Sequence, residues 1–201
     1  MKNKPQLIKN MFLIGIRRSG TSICRQLLIQ HPCIQKLEFE PHDLIYVMST
    51  MHLQRYKNSL YHINTIDRFK KNVDKYYGAK IVINPALGFK RWIWLNKFFP
   101  NAKYIFIIRD KENTYKSYVK TDAKVIAGVS PKFIYDYWYD ETIKSFQEFC
   151  YRKPEKSIIF TFENLVLDAD KTLAPVWNFL NIPKLEGLNS QMVKPMHWDE
   201  K

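Results

Sequence analysis

Eight residues near the start of the chain, Gly15-Ile16-Arg17-Arg18-Ser19-Gly20-Thr21-Ser22, combine the groups that hold a phosphate. Two glycines let the backbone approach an anion, two arginines supply permanent charge, and the hydroxyls of Ser19, Thr21 and Ser22 supply donors. Such a loop works where a strand aims the chain at the ligand and a helix follows, so that free N–H groups at the helix start face the anion. Met11-Phe12-Leu13-Ile14-Gly15-Ile16 is an unbroken apolar run, suited to a parallel strand buried on both faces. Ile23, Leu27 and Leu28 then recur at helical spacing within Thr21 to Gln30, and Pro32 helps to end that helix. The plainer alternative is an ordinary strand-to-helix turn with exposed arginines.

The spacing GxxxxG followed by Thr-Ser matches the Walker A pattern at both glycines, but Thr21 stands where a kinase or ATPase has lysine. In those enzymes the lysine holds the β- and γ-phosphates and the next hydroxyl holds magnesium. Here the charge comes earlier, at Arg17 and Arg18. The pattern therefore points to a phosphate site while arguing against ATP hydrolysis.

A second pair lies further along. Lys103-Tyr104-Ile105-Phe106-Ile107-Ile108 reads as a core strand that runs into Arg109-Asp110, and Ser117 follows Arg109 by eight residues. If 112–119 are helical, Ser117 lies about two turns in. An arginine at the carboxyl end of a strand stands where ligands bind in open α/β sheets. Taken alone, a solvated Arg109-Asp110 turn and a surface serine are the preferred explanation of these residues.

The elements that must position these groups alternate. Strands are predicted at 11–16, near 33–37, at 80–83, 103–108 and 156–161. Helices are predicted at 21–30, about 43–55 and 65–77, 90–99, 112–126, 131–151 and 170–180. Ser130 is a candidate cap with Pro131 at the first helical position. Pro175 is expected to be tolerable only in about the first turn of its helix. Strands alternating with helices predict an α/β fold: three layers, P-loop NTPase-like, around a central, mainly parallel sheet.

The bulk properties agree. The 201 residues fit one domain, 1–201, with enough material for a core. Aromatic residues make up 15%, which argues against disorder. A net charge of +13 suggests an anionic partner, yet it is spread out, with only pairs such as Lys70-Lys71 and Lys90-Arg91. Cys24, Cys33 and Cys150 are odd in number and lack CxxC spacing, so neither a disulfide framework nor a zinc site is indicated. No segment has the length of a membrane span, and the short apolar run at 11–16 does not resemble a signal peptide. Together these features suit a cytoplasmic location.

At this point a resemblance becomes specific. Phe12 to Ser22, with His31-Pro32 after the helix, resembles the 5′-phosphosulfate loop of sulfotransferases that use 3′-phosphoadenosine 5′-phosphosulfate (PAPS). The segment from Tyr104 to Asp110 with Ser117-Tyr118 is similar to that family's 3′-phosphate segment, although Lys111-Glu112-Asn113 replaces the usual Pro-Arg-Asp. Phe160-Thr161-Phe162-Glu163-Asn164-Leu165 and Phe179-Leu180-Asn181 resemble two later family blocks. There a tyrosine lies near the adenine in some members, and Phe162 takes its place. The resemblance implies that Arg18 contacts the phosphate–sulfate bridge and acts in catalysis. It implies that Arg17, Ser19, Gly20, Thr21 and Ser22 help to cradle the 5′-phosphate, and that Arg109 and Ser117 hold the 3′-phosphate. Many relatives carry a lysine before the proline at 85; Asn84 replaces it here.

Sulfuryl transfer needs a base for the acceptor proton, cations for developing charge, and in-line alignment. Phe39-Glu40-Pro41 resembles a feature of carbohydrate-type members, which implies Glu40 as the base; Glu38 and His42 are the alternatives. The expected reaction moves a sulfuryl group from PAPS to a hydroxyl, a saccharide among the candidates, leaving 3′,5′-adenosine diphosphate (PAP). No metal is required if arginine and backbone donors cover the charge. Nucleic acid is not an expected partner, and no membrane span is expected. The family's C-terminal Arg-Lys-Gly element is missing, and Lys194 is a candidate substitute. The rival readings are a P-loop nucleotide kinase or NTPase and a non-catalytic basic binding protein for anionic polymers.

Overall fold

The computed structural model describes residues 7–34, 37, 67–68, 70–73, 75, 78–83, 93–122 and 131–189. Four strands form one parallel sheet: β1 (Met11–Ile16), β2 (Gly78–Ile83), β3 (Lys103–Ile108) and β4 (Ser157–Thr161), in the order β2-β1-β3-β4. The helices are α1 (Thr21–Leu28), α2 (Ile93–Phe98), α3 (Lys111–Asp122), α4 (Lys132–Arg152), α5 (Phe162–Leu167) and α6 (Ala169–Leu180). Helical residues between 67 and 75 precede β2.

All six residues of β1 are buried, as expected of a strand with helices on both faces. Its side chains alternate between two cores. Met11 and Leu13 join Ile105 and Ile107 against Cys24 and Leu27 of α1, Leu165 of α5, and Leu173 and Trp177 of α6. Phe12 and Ile14 join Tyr104 and Phe106 against Leu95 of α2 and Phe146 of α4. Phe106 and Phe146 stack with ring centroids 4.5 Å apart. Cutting such a ring back to alanine costs about 3–5 kcal/mol. The layers are thus helix, sheet, helix, which is the predicted architecture.

Two local expectations are corrected, and one element is added that the sequence reading did not give. Cys33 and Ile34 lie in a turn after α1, outside any strand. The cause is His31, buried against Trp177 at 5.1 Å between ring centroids. Its Nδ1 accepts from the Cys33 N–H at 3.1 Å, which folds the chain back. Nε2 therefore carries the proton and donates to the Pro183 carbonyl at 2.9 Å. Second, Pro175 sits in the interior of α6, beyond the first turn. It faces solvent, as does Lys171, so water can reach the carbonyl that the missing N–H leaves open. Third, residues 162–167 form a short helix that periodicity did not announce; Thr161 caps it by accepting from the Asn164 N–H. Pro131 takes the cap position of α4, and Ser130 lies outside the described residues.

Asp168 caps the start of α6 through the Lys171 N–H at 2.9 Å. Asn181, at φ 55°, closes its end, with the Ile182 N–H returning to the Trp177 carbonyl at 3.1 Å. This is the left-handed stop that asparagine tolerates. Among the described residues no helix is long and apolar enough to cross a membrane.

Candidate active site

The strand order places β2 on one side of β1 and β3 on the other. In open α/β sheets the crevice at such a reversal, beyond the carboxyl ends of the strands, is where ligands bind. Ile16 and Ile108 end the two strands at that point, so the loop 17–20 and Arg109 emerge beside each other.

The loop is built by close packing. A Cβ added at Gly15 would lie 2.5 Å from Ser19 Oγ, 2.5 Å from Thr21 Cγ2 and 2.9 Å from Ile107 Cγ2. Arg18 and Gly20 both have positive φ, 73° and 90°. The Ser19 N–H returns to the Ile16 carbonyl at 2.9 Å, which tightens the turn. Helix α1 then starts without a side-chain cap and with no acidic residue in its first turn. An uncapped, uncountered helix N-terminus favours an anion.

Each loop residue has a distinct place. Arg17, Arg18 and Ser22 are half-buried, and Thr21 is buried. Ser19 is fully buried, and its hydroxyl lies near Gly15 without a hydrogen-bond partner. Its side chain therefore lies within the loop packing. Arg18 Nε donates to Ser117 Oγ at 3.1 Å. Arg109 Nη1 donates to the Arg18 carbonyl at 3.1 Å. The two sequence blocks, far apart in the chain, thus form one hydrogen-bonded cluster.

Arg109 is held from several sides. Its guanidinium lies 4.7 Å from the centroid of the Phe162 ring, a cation–π contact. The same ring closes over Gly20, where a Cβ would lie 2.1 Å from Phe162 Cδ2. The Tyr139 hydroxyl donates to the Arg109 carbonyl. Burial, and then the nearby carboxylates of Asp110 and Glu163, hold the Tyr139 phenol well above its ordinary range, so it remains a donor. Next to Arg109, Asp110 caps α3 through the Asn113 N–H at 2.9 Å, while its own N–H donates to Glu163 Oε1 at 3.0 Å. Lys111-Glu112-Asn113 therefore forms an ordinary capped first turn, and Ser117 faces Arg18 from about two turns in, as its spacing requires.

The sequence reading did not assign Lys80 to the site. It is buried in β2 between Ala79 and Ile81, and its Nζ donates to Ser22 Oγ at 3.3 Å. The available signal was a lysine inside an apolar strand run, Ala79-Lys80-Ile81-Val82-Ile83. Phe162, which stands where some family members have a tyrosine near the adenine, packs against Arg109 and Gly20, while Tyr139 gave no signal in the sequence. Glu38, Glu40, His42, Asn84 and Lys194 lie outside the described residues. Among the described residues no group of three or more His, Cys, Asp or Glu side chains is placed to hold a metal ion.

The arrangement brings two arginines, an uncapped helix start and several hydroxyls together, groups whose chemistry favours anions. The model of the sulfotransferase family matches residues 86–186, half of the chain. The chain is 25% identical over 189 residues to protein-tyrosine sulfotransferase 1 of Danio rerio, covering 86% of this chain and 53% of that one. It is 23% identical over 225 residues to protein-tyrosine sulfotransferase A of Caenorhabditis elegans, covering 94% and 59%. It spans little more than half the length of these curated relatives. Among solved structures, the sulfotransferase domain from the curacin biosynthetic pathway superposes with a TM-score of 0.60 at 16% identity, over 90% of this chain and 76% of that one. Mouse sulfotransferase SULT7A1 complexed with PAP gives 0.57 at 13% identity, over 89% and 60%. A sulfotransferase from Alicyclobacillus acidocaldarius gives 0.57 at 17%, over 94% and 87%. The fold of these structures is shared, the family model covers the second half of the site, and the chain belongs to the sulfotransferase family.

Proposed function

We propose that the protein transfers the sulfuryl group of PAPS to an acceptor hydroxyl. The observation that carries this reading is the cluster joining Arg18 to Ser117 and Arg109 at the β1/β3 crevice. A nucleotide with phosphates at both its 5′ and 3′ ends needs such a pair of anion sites on one rigid frame.

In this reading the loop from Arg17 to Ser22 cradles the 5′-phosphosulfate, while Arg109 and Ser117 hold the 3′-phosphate. The acceptor oxygen loses its proton to a base and attacks sulfur. The bond from sulfur to the 5′-phosphate oxygen breaks, and its electron pair stays on the leaving phosphate of PAP. Arg18 and the N–H groups at the start of α1 meet that charge. Glu40 is the proposed base, on the resemblance of Phe39-Glu40-Pro41 to carbohydrate-type members, since a carboxylate can take the acceptor proton.

For the acceptor, the relatives named for protein tyrosine support a phenolic hydroxyl on a polypeptide. The net charge of +13 suits an acidic peptide around that tyrosine. A saccharide hydroxyl is the second reading, favoured by Phe39-Glu40-Pro41.

Calorimetry with PAP, ADP and ATP tests the nucleotide. A clear preference for PAP is expected; equal or absent binding overturns the reading. Transfer of labelled sulfate from PAPS to an acidic tyrosine peptide, set against a saccharide, decides the acceptor. Glu40→Gln is expected to keep PAP binding and to lower turnover about 100-fold or more; unchanged turnover removes Glu40 from the mechanism.

A further inference from the structure

Ser22 occupies the position whose hydroxyl holds magnesium in a P-loop NTPase. Here that oxygen receives the Lys80 ammonium at 3.3 Å. An ammonium has donors only, so Ser22 Oγ must accept with a lone pair, and its single O–H is left to donate to another group. An oxygen already bonded to an ammonium is a poor ligand for a divalent cation, because two positive charges would crowd one atom.

Lys80 is also an unusual residue for its place. Its strand neighbours Ala79 and Ile81 are buried, and carrying a lysine into such a run is costly unless the charge has work to do. Its head is delivered to the first turn of α1, whose N-terminus has no acidic residue, in the loop that also bears Arg18. Helix dipole and ammonium meet at the first turn of α1, and both favour an anion there.

We propose that Lys80 is a built-in cation of this loop, taking the place of a magnesium ion, and that it fixes Ser22 as a hydrogen-bond donor to the anion. This rests on the proposed function and sharpens it. As the sulfur–oxygen bond breaks and the pair moves to the 5′-phosphate oxygen, the Ser22 O–H, polarised by Lys80, donates to that phosphate. Lys80 is a positioning residue that acts through Ser22, and it sets the specificity of the site for an anion that arrives without metal.

The test uses the full chain as wild type, Lys80→Met and Lys80→Arg. Methionine suits the apolar surroundings, and thermal melting checks that each variant folds. The first readout is calorimetric binding of pyrophosphate with EDTA or with magnesium. Wild type and Lys80→Arg are expected to bind equally in both. Lys80→Met should lose about tenfold or more in EDTA and recover part of it with magnesium, as expected for one charge-assisted hydrogen bond. The second readout is the split between kcat and KM for PAPS. Lys80→Met should lower kcat about 100-fold while KM moves only a few-fold, the pattern of a lost transition-state donor. The proposal is overturned if Lys80→Met binds pyrophosphate in EDTA as tightly as wild type, if wild type needs magnesium, or if wild type binds no pyrophosphate. A failure of the PAPS reading looks different: metal-independent pyrophosphate binding would persist, with no preference for PAP over ADP.

Discussion

The two anion sites are built in different ways. The loop after β1 is a product of its own strand and helix: Gly15 admits Ser19 and Thr21, Gly20 turns left-handed, and α1 begins uncapped. The site after β3 is assembled from elsewhere. Arg109 depends on Phe162 of α5, Tyr139 of α4 and the Arg18 carbonyl. The loop has little slack, because its own backbone sets its turn and Phe162 and Ile107 close tightly over its glycines. A site bracketed by several side chains loses its parts one at a time. The first should therefore fail all at once under substitution, and the second by degrees.

The largest effect is expected at Gly20→Ala. The new methyl would meet the Phe162 ring at 2.1 Å from a backbone at φ 90°. Left-handed strain alone costs about 1–2 kcal/mol, and displacement of the ring adds to it. The thermal midpoint should fall and PAP binding should become undetectable by calorimetry. A variant that binds normally would mean that the loop is less locally determined than its packing indicates.

Next comes Arg109→Lys, which keeps the charge but loses the planar fork and the face that rests on Phe162. A loss of about 2 kcal/mol, roughly 30-fold in PAP affinity, is expected for a charge-assisted bidentate contact. ADP, which lacks the 3′-phosphate, should bind nearly as before. Equal losses for both nucleotides would place Arg109 at the other end of the ligand.

Tyr139→Phe removes one hydrogen bond to the Arg109 carbonyl and leaves the ring in place. About 1 kcal/mol, or fivefold in the KM for PAPS, is expected, with kcat nearly constant. The smallest change belongs to Phe162→Leu, which gives up a cation–π contact worth about 0.5–1 kcal/mol at a part-exposed site. A two- to fivefold weaker PAP affinity by titration would fit. A loss exceeding that of Arg109→Lys would show that Phe162 does more than hold the arginine.

The same contrast explains how much could be read from the sequence. The loop after β1 was legible because its determinants are contiguous: an apolar run, two glycines, then helical periodicity. Ser117 was legible because helix geometry fixes what lies two turns on. The sheet was legible because β1 and β3 are unbroken apolar runs, the mark of parallel strands covered on both faces. Tyr139 and Lys80 were not assigned to the site, since each reaches it across a long stretch of chain and looks like core or surface in its own neighbourhood; Phe162 was legible only through its resemblance to a family tyrosine, and its hold on Arg109 was not. The turn at Cys33 was misread as a strand because its cause, the two ring nitrogens of His31, is a tertiary arrangement. The interior position of Pro175 was misjudged for a related reason, as only the folded helix shows which carbonyl meets water. Glu40 falls outside the described residues, so its role rests on resemblance.

The strand order has one more consequence, in time. Strand β1 precedes the other described strands and becomes an inner one, with Met11 paired to Gly78 on one side and Lys103 on the other. Neither edge of it can close until much later segments have been made. Pairings between residues so distant in sequence are slow to form, and an open apolar strand is prone to wrong partners meanwhile. The segment that carries the phosphate loop is thus made before either strand it pairs with and takes its shape only once both are present. Yield of folded protein should therefore respond more to slowed or interrupted synthesis before Lys103 than to the same delay after Thr161.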